Sequence, residues 1–355
     1  MSSRQLQGTL TSHVGEMNPW LDSQSLPVEP QNLPKVQLDW GSPGEMLGRA
    51  ISWMDGIHRQ LAAGGDVQAG MLKLHGGLAQ LRQHWSHEDW RRFCLEAARP
   101  HPLREFLHQC PFTRHGYQRP RGYAGDAALI DYLYSERLEE DSHLHPGAHI
   151  YRFMYQQPSP RSVRERRALL AQQLDSVAAQ VDRPRILSVA CGHLREAEQS
   201  LAVKEHRVGE LVAFDQDPLS LAEVTRQHPG PVVQPVCGSV RALLSGRTVF
   251  GNLDLIYSAG LYDYLSDNTA RRLTQLLFDM LKPGGRLLLA NFATCPEAGY
   301  LEAFMDWWLI YRDEAQVQAF TRDIDPRQLA GTRMFRDSQQ NVIYLELTRR
   351  TAQSP

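Results

Sequence analysis

Apolar residues recur at helical spacing through the first part of the chain. Met46, Leu47, Ala50, Ile51 and Met54 fall on one stripe, and Leu72, Leu74, Leu78 and Leu81 on another, so residues 41–150 are expected to form a helical domain. Ser86 is a capping residue ahead of His87–Ala98, and Pro100 closes that segment. The stretch from Cys110 to Asp126 has no period and is crowded with Arg, His, Tyr, Pro and Gly. It reads as a loop, with Asp126 as N-cap of a short helix over Ala127–Tyr134. Residues 151–182 read as one charged connecting helix, with Arg161, Arg164, Arg166 and Arg167 on a solvated face. Residues 1–40, rich in Gln, Ser, Pro and Asn, read as a flexible arm that Trp20 and Trp40 pin locally.

After residue 183 the pattern changes. Short apolar runs at 185–190, 211–215, 232–236, 253–257 and 286–291 alternate with helical segments. That alternation predicts an α/β fold with a mostly parallel sheet and helices on both faces. The Lys282-Pro-Gly-Gly turn stops a helix and launches a strand. Residues 341–348 follow the polar turn Asp337-Ser-Gln-Gln and read as an antiparallel last strand.

Composition narrows the class. The 355 residues carry a formal net charge of −2 with 42% hydrophobic residues, enough for a large core and without the basic excess that an obligate nucleic-acid partner demands. Cys94, Cys110, Cys191, Cys237 and Cys295 are scattered and odd in number, which suits a reducing, cytoplasmic setting. No run reaches the ~18 apolar residues of a membrane span. His143, His145 and His149 sit in a polar stretch and read as solvated, so no metal is expected.

The chemistry concentrates at the ends of the predicted strands. Gly192 follows the first strand, where the absence of Cβ lets backbone approach a ligand, and a helix expected from Arg195–Glu196 offers free N–H groups. Asp215 ends the second strand, 23 positions later. An acid there can accept hydrogen bonds from both hydroxyls of a ribose. The G-x-G-x-x-G pattern of dinucleotide oxidoreductases is absent.

This series resembles the core of the class I S-adenosylmethionine (SAM) dependent methyltransferases, over roughly residues 183–350. The resemblance implies a Rossmann-like SAM methyltransferase sheet with an N-terminal helical domain, SAM as cofactor and a small-molecule acceptor. It implies cofactor contacts at Ala190, Gly192, Asp215, Gln216, Ser239, Val240, Ser258 and Gly260. Ser188, Ala190 and Leu194 stand where that family usually has an acid and further glycines, which weakens the expected contacts at the methionine end more than the ribose contact. The segments 119–126 and 305–312 resemble a bacterial methyltransferase subfamily with an N-terminal helical domain, which includes the 3-hydroxypalmitic acid methyl ester synthase. They are expected to close over the site, residues 307–312 as a helix, with a lid insertion near 295–330.

Tyr123, Tyr151, Tyr262 and Trp308 are aromatic candidates for facing the sulfonium. Arg121 and Arg312 are candidates for orienting a substrate carboxylate, with Trp308 and Tyr311 beside them. If the acceptor has a proton to lose, His115, Asp126 and Asp263 are the candidate bases, with Tyr123 and Tyr262 as further catalytic candidates. Trp307 and Trp308 also suit a core or an interface, which leaves a homodimer open. Carboxylate O-methylation, N-methylation of a small heterocycle or amine, and a non-catalytic SAM-fold binding module all fit the sequence.

Overall fold

The computed structural model describes residues 40, 43–135 and 145–351. Two compact units divide the chain, residues 1–31 and 32–355, and all the described residues lie in the second. The expectations placed on residues 1–39, Trp20 included, and on His143 fall outside the described residues.

Helices precede the sheet: α1 (Pro43–Ala62), α2 (Val67–His84), α3 (His87–Phe93), α4 (Pro102–Leu107), α5 (Pro111–Gln118), α6 (Ala127–Tyr134), α7 (Pro146–Tyr155) and α8 (Pro158–Gln180). Local chemistry explains their starts. Asp66, Ser86 and Asp126 cap α2, α3 and α6 by accepting backbone N–H groups, each worth ~1 kcal/mol. Proline opens α4, α5, α7 and α8, where its missing N–H costs nothing.

Five parallel strands follow: β1 (Arg185–Val189), β2 (Glu210–Asp215), β3 (Val233–Cys237), β4 (Leu253–Ser258) and β5 (Leu281–Phe292). Then β6 (Leu329–Arg336) and β7 (Val342–Arg349) complete the sheet. The spatial order is β3-β2-β1-β4-β5-β7-β6, with β7 antiparallel to both neighbours. Strand order reverses between β1 and β4, so the crevice at their carboxyl ends is where this topology places a ligand. This is the Rossmann-like sheet of the SAM methyltransferases, as the sequence predicts.

Alternation along the strands splits the apolar residues between two cores. Leu288, Ala290, Phe292, Val342 and Tyr344 face the core they share with α1–α8, while Leu287, Leu289, Ile343, Leu345 and Leu347 face the other. The second face is covered by α12 (Asp267–Asp279) through Leu273 and Leu277. Early helices are also tied by charge to the helix that follows β5. Glu302, on α13 (Ala298–Phe304), receives Arg82 at 2.7 and 3.0 Å and Trp90 Nε1 at 2.6 Å, and it is buried. Removing Arg82 would leave that buried carboxylate with the Trp90 N–H and without a counter-charge.

Several elements differ from expectation. Residues 111–118 are helical, because Pro111 starts a turn whose Phe112, Thr113 and Gly116 are buried. Gly116 is a packing glycine there, with Met305 Cε 2.5 Å from where its Cβ would stand. The connecting helix is two helices, interrupted at Gln156–Gln157 ahead of Pro158. No helix starts at Arg195; Ala190, Gly192 and Leu194 have φ near +50°, which no helix start accommodates, and α9 (Leu201–Lys204) begins later. The Lys282–Gly285 turn sits inside β5, where pairing jumps from Leu253↔Leu281 to Leu255↔Arg286. Strand β6 gave no clear alternation in the sequence.

Two corrections matter for the site. Residues 307–312 are not helical: Asp306 takes φ +49° after α13, and the chain runs extended, with Ile310 N donating to Asp263 O and Arg312 N to Phe292 O. Arg166 is not on a solvated face. It is 6% exposed, and Arg164 beside it donates to the carbonyls of Leu133 and Tyr155.

Candidate active site

A cleft of about 500 Å³ opens at the carboxyl ends of β1, β2, β3 and β4. Its floor is the turn after β1. Left-handed departures at three alternate residues, Ala190, Gly192 and Leu194, wrap this backbone around the cleft and store strain of ~1 kcal/mol at each non-glycine. A side chain at Gly192 would press on Ala127 Cβ at 3.1 Å, so the glycine sets how closely α6 approaches.

Asp215 fixes that turn. Its Oδ2 accepts Gly192 N at 2.8 Å and its Oδ1 accepts Asp217 N at 2.9 Å. A carboxylate has about four acceptor sites, so this one keeps capacity for hydroxyl donors from the cleft. Burial, opposed by those amides, raises its pKa. Ser239 caps α11 (Val240–Leu244) through Ala242 N at 3.3 Å, and with Val240 and Gln216 it lines the same side. Gly238 was not singled out in the sequence, yet a Cβ there would strike the Phe214 ring at 2.5 Å.

The segment 119–126 closes the cleft from the helical side. Arg121 Nη1 donates to Asp217 at 2.6 Å and to Ser220 at 2.9 Å. His193 and Arg195, from the β1 turn, bind Asp131 of α6 at 3.0 Å and at 2.6 and 2.9 Å. Burial alone would raise the Asp131 carboxyl, but these partners outweigh it and hold it far below the usual range. Arg121 therefore anchors the loop and does not line the cleft. Burial, and then the carboxylates of Asp215, Asp217 and Asp126, push the Tyr123 phenol well up, leaving a neutral O–H in the cleft wall.

Of the residues singled out from the sequence, Tyr123, Ala190, Gly192, Asp215, Gln216, Ser239, Val240, Gly260 and Trp308 line this cleft. The others stand apart for visible reasons. Asp126 caps α6 through Leu129 N at 2.8 Å and receives His115 Nε2 at 3.0 Å, so these two are joined to each other outside the lining. Tyr151 donates to the carbonyls of Tyr132 and Ser135. Ser258 donates to Val189 O, and Tyr262 is buried against Thr274 at 3.0 Å. Arg312 is consumed by the carbonyls of Tyr262 and Leu265 and by Asn291 and Asp267, so it braces the extended segment. Tyr311 lies under the Arg82 guanidinium, 5.2 Å from ring centre.

A smaller hollow of about 70 Å³ lies behind the cleft and shares Gly125, Ile130, Arg166, Gly260 and Tyr264 with it. Asp263 lines it, with its Oδ1 accepting Phe292 N at 2.6 Å and its carboxyl raised by burial to about 6. Gly125, at φ +73°, passes within contact of Tyr264, whose hydroxyl receives Trp307 Nε1 at 2.7 Å. Tyr257, whose hydroxyl donates to the buried Glu196 at 2.8 Å, lines the outer cleft, and Arg166 lines both. Sequence gave no sign of Arg166, since its run of neighbouring arginines resembles a wet helix face. Among the described residues no group of three or more His, Cys, Asp or Glu is arranged to hold a metal ion, and no helix is long and apolar enough to cross a membrane.

No family model and no curated protein matches the chain. Solved structures do. A protein of Bordetella parapertussis described as a possible exported protein aligns over 88% of this chain and 99% of its own, with a TM-score of 0.53 and 19% identity. The N-methyltransferase NodS of Bradyrhizobium japonicum, solved with S-adenosyl-L-homocysteine, aligns over 52% of this chain and 87% of its own, at a TM-score of 0.39 and 14% identity. Magnesium protoporphyrin IX methyltransferase of Synechocystis, solved with the same product, aligns over 62% and 98%, at 0.40 and 14%. The strand order, the antiparallel β7 and the ligand-facing edge together give the chain the class I SAM-dependent methyltransferase fold.

Proposed function

We propose that the chain is a SAM-dependent methyltransferase of a small-molecule acceptor. The observation that carries this reading is the Asp215 carboxylate, fixed by two backbone amides at the mouth of the β1–β4 crevice with acceptor capacity to spare. Asp215 and Gln216 would hold the ribose, Ser239 and Val240 the adenine side, and the Ala190–Gly192 turn the methionine end. The cofactor supplies an electrophilic methyl group on a sulfonium. The protein's part is to position the acceptor and exclude water. Tyr123, Gly125, Tyr264 and Trp308 do this by walling the cleft opposite the sheet. Asp263, which lines the inner hollow and whose carboxyl burial raises to about 6, would take a proton released there.

The Bordetella parapertussis likeness supports the fold only. Support for small-molecule chemistry comes from the inner hollow and from a net charge of −2, without the basic excess that an obligate nucleic-acid partner demands. Calorimetry with SAM and S-adenosylhomocysteine tests the reading. Micromolar binding of either is expected, and failure of both at millimolar concentration ends it.

A further inference from the structure

The inner hollow holds a polar group that the fold leaves unmatched. Glu297 is 1% exposed and lines the hollow. Its Oε2 accepts Ser159 Oγ at 2.6 Å, while its Oε1 has no hydrogen-bond partner among the described residues. A buried acceptor without a donor is a standing cost that a ligand N–H removes. Asp263 adds a second buried carboxyl to the same walls. The one cation there is Arg166, and its Nη1 already donates to Ala259 O. The remaining walls are apolar, with Phe112, Leu133 and Leu301 among them.

Resting on the methyl-transfer reading above, we propose that this hollow selects the acceptor, and that the acceptor is a small amine whose N–H meets Glu297. The charge balance favours it over a carboxylate: burial raises both acids, an arriving ammonium would hold them ionised, and the one arginine is already engaged, so an anion would find no free partner. A volume of about 70 Å³ admits an aliphatic group of a few heavy atoms, so the hollow takes one end of the acceptor, with the rest in the cleft. This puts N-methylation ahead of carboxylate O-methylation for this chain.

Ligand-observed NMR on the full chain, saturated with S-adenosylhomocysteine, tests this with n-butylamine, n-butanol and n-butyrate as probes. The amine should bind at least ~10-fold more tightly than either other probe. Glu297→Gln, which keeps volume but removes the charge, should bring the amine to the level of n-butanol with thermal stability preserved. Any other ordering of the three probes on the unaltered chain overturns the proposal, and that readout stands even if the variant does not fold. If S-adenosylhomocysteine itself fails to bind, the methyltransferase reading has failed; if it binds and the probes do not discriminate, only the acceptor assignment has.

Discussion

Asp215 accepts the Gly192 amide at 2.8 Å and thereby locks the turn after β1 to the end of β2. The same carboxylate is the one assigned to the ribose. Replacing it with Ala should therefore do two things. S-adenosylhomocysteine affinity should fall by ~100-fold, since two charge-assisted hydrogen bonds are lost. Stability should fall by ~1–3 kcal/mol, because two buried amides lose their acceptor. Calorimetry and thermal melts measure these separately. A variant that is destabilised but binds normally would show that Asp215 only holds the turn.

Gly125 passes against Tyr264 with its backbone at φ +73°. A Cβ there would stand 2.2 Å from the Tyr264 hydroxyl and 3.0 Å from the Trp307 ring. Gly125→Ala should break the Trp307–Tyr264 hydrogen bond and cost ~1–3 kcal/mol. Cofactor affinity should change far less than in the Asp215 variant, because Gly125 lies on the inner side of the cleft. Tryptophan fluorescence and a melt report the first effect, and calorimetry the second.

Asp131 is ionised in the fold because Arg195 and His193 more than offset its burial. Its pKa is lowered on folding, so its contribution is complete above the unfolded value of ~3.9 and fades as pH falls below it. Asp131→Asn should cost ~1–3 kcal/mol at neutral pH, and the gap from the unaltered chain should close below about pH 4. Denaturant titrations at several pH values measure it. A gap that is constant with pH would remove the ionic account.

Asp263 behaves in the opposite sense. Burial raises its carboxyl to about 6, so between about pH 4 and 6 the folded chain holds a proton that the unfolded chain has lost. Stability from this group therefore declines as pH rises through that window. Asp263→Asn keeps an oxygen for Phe292 N and cannot ionise. It should be more stable than the unaltered chain at pH 7, by up to ~3 kcal/mol, with no gain at pH 4. A loss at pH 7 would mean that the charge is better compensated than burial suggests.

The sheet was legible because buried strands and their turns leave short-range marks. The apolar runs at 185–190 and 253–257, and the acid closing 211–215, follow from local rules of burial and alternation. Of the cleft's lining, the sequence marked chiefly positions at the ends of those strands, such as Gly192 and Asp215, with Tyr123 and Trp308 from outside them. Residues that reach the cleft through the three-dimensional arrangement were hidden. Arg166 sits among other arginines on α8, and only the packing of α8 against the sheet turns it inward. Arg312 has the chemistry of a carboxylate clamp, but the extended path of its segment brings it to main-chain carbonyls instead. Glu297 gave no signal, since one acid ahead of a short helix resembles an ordinary cap.

The placement of β7 between β5 and β6 also bears on how the chain is made. Strand β6 has β7 as its neighbour in the sheet, so the two join β5 as a hairpin, and Val342 and Tyr344 of β7 belong to the core shared with α1–α8. Helices α1–α8 precede β7 in the chain and keep part of their apolar side open until β7 has been made. Substitutions in β7 should therefore reduce the yield of soluble protein more than their effect on the finished fold would suggest, measured as the soluble fraction on expression.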